Sequence, residues 1–538
     1  MPLTLVLGPA NSAKAGEVLG AYAAAARRDA LLVVPTAADA VHYDRELSEP
    51  GISLGRALTF SGLVQEIARR LTPATRQPQA GLGPPMLTAL QREQLIRRAV
   101  ASQPMTALSS SAARPGFALA AGRLVAELRG ARVTGPRFAA AIGAWARAGG
   151  SDRAAYARDL AALYRSYLAA LEQVGRTDAE GFAWAALDRL RADPSAWQGT
   201  PVFFYGFDDL TLIEQDAIET LAQTVGAEVT VSLTFERDRS ALTARAEVVE
   251  NLREWALAVR ELPALDEYYE PGSRAVLHHL ERYLFEPSPA QIDGAGVISL
   301  LEAGGERAEA ELIASEVLAA LRDGVPASEI VVVCRSLRRS GSLLTKTLRR
   351  YGVAVSAAIR TPVAHTALGR ALLALGRCAL DRNAAASDLL AYLRAPGQLD
   401  SLEGVDALAA EIARGGVTTA SDARRLPHAR GLPLGAIDEL RRAADPTAVL
   451  AVQARRLLAA MGPGAAPQLS EAEALDARAA AAVLVALREA AELQPLDGAE
   501  LIDLLRTVEV NAVAGAGPEA FRPLDQGGCS LVDSSKKD

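Results

Sequence analysis

Residues 8–15 read Gly-Pro-Ala-Asn-Ser-Ala-Lys-Ala and directly follow the apolar run Leu3–Leu7. A loop that cradles phosphate has the form GxxxxGK(S/T), lies between a strand and a helix, and turns the helix's first amides towards the anion. Gly8 and Lys14 hold their places in that pattern, with Ser12 between them. Ala13 stands where a second glycine would let the backbone approach the phosphate, and Ala15 where a hydroxyl would ligate magnesium. Lys14 remains able to meet a phosphate as a point charge. The segment therefore reads either as a decayed phosphate loop (Gly8, Ser12, Lys14) or as an ordinary strand-to-helix connection. No cofactor is expected, with at most weak ATP binding and no Mg2+.

Other chemistry is thin. Cys334, Cys378 and Cys529 are far apart and form no CxxC or Cys/His pair, which argues against a zinc or iron–sulfur site. His278 and His279 are adjacent, so on a helix they diverge by about 100° and cannot act as a metal-binding pair. No catalytic or metal-binding residue is assigned. The net charge of −7 excludes global attraction to nucleic acid, leaving only local basic stripes. No run approaches the roughly 18 apolar residues of a membrane span. Leu3–Leu7 has the length of a strand, not of a signal segment. The expectation is a cytoplasmic protein without membrane contact.

The elements that would position these residues follow an α/β grammar. Segments 3–9, 31–36, 56–60, 201–207 and 228–235 read as buried parallel strands, the first three followed by helices. A second set lies at 296–303, 329–334 and 352–357, with helices expected at 306–322 and 338–350. Between the sets, Ala/Leu/Arg-rich text carries helical periodicity. The expected division is 1–83 and 200–290 as one lobe with a helical insertion at 84–199, then 291–382 as a second lobe with an insertion at 383–510. The tail 511–538 reads as irregular and truncated; two of the four lysines, Lys536 and Lys537, fall in it.

The order of these motifs resembles the UvrD/RecB-type superfamily 1 helicases, and most nearly the AddB/RexB-like subunits of ATP-dependent helicase–nucleases. The resemblance spans residues 3–400 and more loosely runs to about 510. LLVVPTAADAVHYDREL (31–47) is similar to the family's second motif, and ALTFSGLVQEIARRL (57–71) to its "TFHS" segment. The most specific match is GERAEAELIASEVLAALRDGVPASEIVVVCRSLRRSGSLLTKTLRRYGVAV. What this implies is a helix-rich α/β fold of two RecA-like (P-loop NTPase-type) parallel-sheet lobes, each with a large helical insertion. Full-length members carry a C-terminal PD-(D/E)XK nuclease.

In the family an acidic pair ends the second nucleotide-facing strand, one carboxylate holding magnesium and the other polarising water. Here the strand reads VFFYGFDDL, so Tyr205 and Gly206 take those places, while Asp208 and Asp209 come later and should point elsewhere. The resemblance also implies DNA contacts at Thr36, Thr59, Phe60, Ser61, Arg335, Arg338 and Arg339. The basic stretch Arg335–Arg350 reads equally as a solvated helix surface. Trp145, Trp184, Trp197 and Trp255 are expected in packing, not base stacking.

Three functions follow from the reading. The first is an inactivated, DNA-binding scaffold subunit in double-strand-break repair and recombination. It would bind DNA ends or single strands without sequence preference, beside an AddA/RecB-like helicase–nuclease subunit. The second is a fragment of an active helicase and exonuclease whose nuclease lies beyond residue 538. The third is a protein-interaction module with no role at DNA.

Overall fold

The computed structural model describes residues 3–47, 55–72, 84–114, 116–357, 359–462, 469–512 and 529–533, the last as backbone alone. It divides into two compact units, Met1–Leu300 and Leu301–Asp538.

In the first unit the apolar runs become the strands β1 (Leu3–Gly8), β2 (Leu31–Val34), β3 (Arg56–Thr59), β4 (Val202–Phe204) and β5 (Val229–Thr234). A further strand, β6 (Ala256–Glu261), completes a six-stranded parallel sheet of order β3-β2-β4-β5-β1-β6. Because side chains alternate across a strand, each inner strand covers both faces and must be apolar throughout. Leu5, Leu7, Val33, Phe204 and Val231 go to one face, and Val6, Leu32, Val34 and Phe203 to the other.

On the second face lie Val18 and Tyr22 of α1 (Lys14–Ala25) and Ala40 of α2 (Ala37–Glu46). On the first face lie α3 (Phe60–Arg70) and the helices Ala179–Ala192, Leu212–Glu219 and Ala246–Trp255. Right-handed crossovers demand this split, since β1 to β3 step one way along the sheet and β3 to β6 step back. A doubly wound sheet opens a crevice at the carboxyl ends of its strands where that direction changes. β6 escaped the sequence reading because it is an edge strand, exposed along most of its length, whose short apolar run Ala256–Val259 continues without a break from the helix Ala246–Trp255.

The segment between β3 and β4 is helical. Its helices are tied by Asp178, fully buried, which caps Ala179–Ala192 and receives two bonds from Arg129 at 2.7 and 2.9 Å. Burial pushes that carboxyl up, but the Arg129 bonds outweigh it and hold the group below the usual range.

In the second unit the helix Glu306–Arg322 precedes β7 (Val331–Cys334). A π-helical turn, Leu337–Gly341, leads into the helix Ser342–Arg350 and then β8 (Val355–Ala357). The short strand β9 (Arg360–Pro362) pairs antiparallel with β10 (Glu509–Asn511). β11 (Cys529–Asp533) lies between β7 and β8, parallel to both. The tail thus contributes a strand where an irregular segment was expected; Lys536 and Lys537 lie outside the described residues. Between Ala367 and Thr507 the described residues form a helical array around the buried face of Ala367–Leu380.

The strand expected at 296–303 does not form. Its backbone is irregular, and Ile298 and Leu300 are exposed. An apolar run becomes a strand only when a neighbour takes its backbone hydrogen bonds. Among the described residues none does so here.

Candidate functional site

The carboxyl end of β1 carries the loop singled out from sequence. Gly8 is required by space: a Cβ there would lie 2.4 Å from Ser12 Oγ and 3.0 Å from the Leu262 carbonyl. Asn11 and Ala13 both adopt left-handed backbone, at φ 51° and 59°. Ala13, the N-cap of α1, therefore holds the conformation for which glycine is preferred, at a strain of about 1 kcal/mol. The loop thus bends through a left-handed alanine.

The structure brings Gly8, Ser12 and Lys14 together, bonded to one another and to Pro9. Buried Ser12 donates to the Pro9 carbonyl at 2.9 Å. The Lys14 ammonium donates to the Gly8 carbonyl at 3.1 Å, to the Pro9 carbonyl, and to Ser12 Oγ at 3.1 Å. An ammonium has three donors, so loop atoms account for all of them. Lys14 is brought down to about 8, chiefly by desolvation, with Glu281 opposing and nearby Arg245 adding to the lowering.

At the end of β4 the Tyr205 ring leaves the crevice and meets Tyr43 of α2 edge to face, centroids 5.7 Å apart. Burial raises both hydroxyls above the ordinary phenol range, so neither supplies a negative charge. Gly206 has φ 84°, a conformation that a glutamate would adopt only under strain. Asp208, expected to point elsewhere, lines the crevice and sits 3.6 Å from Arg245, whose other nitrogen donates to the Thr234 carbonyl at 2.7 Å.

The crevice is a cavity of about 550 Å3 whose walls include Asp208, Arg239, Arg245, Tyr269, Glu281 and Phe285. The chain that follows β6 closes over it. Leu262 N–H donates to the Leu7 carbonyl at 2.8 Å, Leu265 N–H to the Asn11 carbonyl at 2.8 Å, and Asn11 Nδ2 to the Tyr269 hydroxyl at 2.6 Å. Arg239 is held by Glu286 at 3.0 Å and by the Glu281 carbonyl at 2.9 Å. Arg282 and Glu236 pair through two bonds. No group of three or more metal-ligating side chains occurs among the described residues. Sequence reasoning missed this cover. Its signal was the amphipathic stretch Ala275–Glu286, where apolar and charged residues alternate at helical spacing. His278 and His279 belong to it and pack near Tyr269 and Tyr283.

The ends of β2 and β3 differ. Thr36 caps α2 in a reciprocal arrangement with Asp39 and is exposed. Thr59 caps α3 by accepting the Gly62 N–H at 3.3 Å, and its hydroxyl lies 2.9 Å from the exposed Ser61 hydroxyl. Phe60 is half-buried against the core. Behind them Glu66, only 4% exposed, is bound by Arg69 at 2.8 Å, Arg70 at 2.7 Å and Arg56 at 3.1 Å. Burial pushes its carboxyl up, yet these arginines bring it down to about 2.

In the second unit Arg335 is exposed at the end of β7 and has no acidic partner among the described residues. Arg338 pairs with Glu509, and Arg339 with Glu306 at 2.7 Å. Lys346, Arg349 and Arg350 share the solvent face of their helix, opposite buried Leu344 and Leu348. Trp197 is fully buried, and Trp184 and Trp255 pack against the core. Trp145, by contrast, is 47% exposed, which corrects its assignment to packing.

No family model matches the chain. It is 28% identical, over 341 residues, to the B-type subunit of the ATP-dependent helicase/deoxyribonuclease of Pelotomaculum thermopropionicum, a match covering 59% of this chain and 28% of that protein. It is 26% identical over 305 residues to the protein of the same name from Desulforamulus reducens, covering 53% of this chain and 26% of that one. The matches therefore span little more than a quarter of each relative. The chain is similar to AddB-type subunits, as its motif order indicated.

Proposed function

We propose that the chain is a helicase-shaped, non-hydrolysing subunit that binds DNA and serves as scaffold in a helicase–nuclease complex for double-strand-break repair. One observation carries the reading. Tyr205 and Gly206 occupy the strand end where a metal-binding and a water-activating carboxylate belong, beside a loop whose lysine is already satisfied by its own carbonyls. Without a carboxylate there is no ligand for the metal and no base for the water.

The two units are the remains of two RecA-like lobes, a reading supported by the doubly wound sheet with its loop at β1 and the smaller parallel sheet of β7, β11 and β8. Thr36, Thr59 and Ser61 at the open strand ends and Arg335 in the second unit are the proposed backbone contacts, independent of base sequence. An AddA/RecB-like subunit would supply the motor, in keeping with the relatives' designation as B-type subunits. No helix among the described residues is long and apolar enough to cross a membrane.

DNA-stimulated ATPase of the purified chain tests the proposal. Turnover should not exceed the background without protein, and a rate above about 1 s−1 would refute it. A second reading, part of an active helicase and deoxyribonuclease, draws on the relatives' name and predicts the opposite result in that assay.

A further inference from the structure

In the helical insertion, the hairpin of helices Gly135–Arg147 and Ser151–Val174 carries a groove along one side. Its floor is made of small residues: Ala139, Gly143 and Ala146 from the first helix, and Ala154, Ala157 and Ala161 from the second. Steps of three and four place each set on one face of its helix. Nothing larger than a methyl group fills these positions, and an open cavity of about 550 Å3 is left between the helices. Along the second helix it runs from Ser151 to Arg165, about 21 Å or four turns.

Three guanidinium groups stand along this floor, Arg147 from the first helix and Arg158 and Arg165 from the second. All three are exposed, and none has an acidic partner among the described residues. Arg158 donates to the Ala154 carbonyl at 3.2 Å, a bond that leaves its charge unmatched. Elsewhere in the insertion several arginines meet acids: Arg92 meets Glu180 at 2.9 Å, Arg129 meets Asp178 at 2.7 Å, and Arg191 meets Asp188 at 3.0 Å. No carboxylate lines the groove. Asp159, next to Arg158 in the chain, is buried and accepts the Thr106 and Leu108 amides. The groove is an apolar trough with a positive rim.

We infer that this groove seats an acidic amphipathic helix of a partner protein, with small apolar side chains on the floor and carboxylates on Arg147, Arg158 and Arg165. The charge selects an anionic occupant, and the floor selects among anions. A nucleic-acid strand has no apolar side to lay on alanine methyl groups, and the lining holds no aromatic ring on which a base could stack. The exposed rings of the hairpin lie elsewhere: Trp145 is two residues from Arg147, about 200° around the helix. A helix gains apolar contact from the same floor, and small residues let its axis approach to about 8 Å. Arg158 and Arg165 lie about 10 Å apart along one face, the spacing of acids two turns apart on a helix lying alongside. This surface includes none of the strand-end contacts proposed above and stands or falls without them.

The test is fluorescence anisotropy of the full chain with a labelled, stapled helix of about four turns, alanine on one face and glutamates two turns apart on its flanks. Saturable binding is expected, weakening as salt rises. Arg147→Ala/Arg158→Ala/Arg165→Ala should bind at least about tenfold more weakly, and the same helix with lysine for glutamate should not bind. Ala154→Leu fills the floor without altering charge and should weaken binding about fivefold or more, a loss that attraction between charges alone does not produce. The substituted positions are exposed and helical, so the fold should survive, and an unchanged melting temperature checks this. No saturation below about 1 mM, or an unchanged affinity in the triple variant, overturns the inference. An oligothymidylate that binds more tightly than the helix, and is indifferent to Ala154→Leu, overturns it in favour of nucleic acid. A dimer of the chain that Ala154→Leu dissociates in sedimentation overturns it in favour of a second copy.

Discussion

The rim of the first sheet has two halves built by the same rule and put to different ends. At β1, β4 and β5 the polar groups are satisfied by the chain itself: Lys14 by loop carbonyls, Tyr205 by Tyr43, Arg239 by Glu286 and Glu281, Asn11 by Tyr269. At β2 and β3 the strands feed helices whose capping hydroxyls, Thr36 and Thr59, lie at the surface with exposed Ser61 beside them. One half is closed over its own bonds and the other is presented to solvent. The sheet itself does not depend on either half, because its inner strands are held by apolar contact on both faces and not by the loops at their ends.

The largest effect should come from breaking the support of the open half. Glu66 gathers Arg56, Arg69 and Arg70, and Arg70 also reaches the Trp197 carbonyl at 2.6 Å and Thr200 Oγ1 at 2.7 Å, stacking 4.4 Å from the Trp197 ring. Glu66→Ala leaves these guanidinium groups without their acceptor and should destabilise the chain by about 3–5 kcal/mol in chemical denaturation. Because the folded carboxyl is depressed to about 2 from 4.5, its contribution is complete above about pH 4.5 and is lost as pH falls towards 2. A variant as stable as the parent at pH 7 would mean that the α3 cluster is ornament, and the two halves would no longer differ in how they are held.

The closed half yields a smaller, pH-dependent effect. Lys14 is brought down to about 8 from 10.5, so between those values the unfolded chain holds a proton that the folded chain has released. Stability must then rise with pH across that window. Relative to Lys14→Met, the parent should gain about 1 kcal/mol between pH 8 and about 9.5, a figure discounted for the partial exposure of the side chain. Keeping below pH 10 excludes Tyr22, whose hydroxyl burial pushes up to about 12. A flat difference between the two proteins would show that the ammonium is solvated, and so free for a phosphate.

How much of this was legible follows from what each feature depends on. The strands at 3–9, 31–36, 201–207 and 228–235 were readable because burial on both faces forces an unbroken apolar run, while 56–60, an edge strand, was readable from its place ahead of an amphipathic helix. β6 was not, since an exposed edge imposes no pattern, and 296–303 misled because an apolar run states a preference for burial without naming a neighbour. Tyr205 and Gly206 were legible at once as the residues that follow the fourth strand, since their identity needs no structure. The cover after β6 was not, because Leu265 and Tyr269 meet the β1 loop, and Glu281 and Glu286 meet Arg239, across stretches of chain that no local spacing reports. Trp145 was misassigned for the same reason: its exposure is a property of the surface, while sequence shows only composition.

The smallest effect is the most direct probe of the loop's history. Ala13 sits at φ 59° and ψ 22° with no side-chain capping bond, so its methyl group strains the backbone and contributes no contact that offsets it. Ala13→Gly relieves that strain, while the added freedom of glycine in the unfolded chain works against it. The left-handed term is the larger, and the variant should be more stable by about 0.5–1 kcal/mol, read as a shift in denaturation midpoint at constant slope. ATP should produce no further shift in either protein, since the β4 end still lacks a carboxylate and Lys14 remains on its carbonyls. If the glycine were destabilising, the left-handed turn would be an ordinary feature of this connection. If it conferred a shift with ATP, the closure of this half would rest on one methyl group and not on the carboxylates.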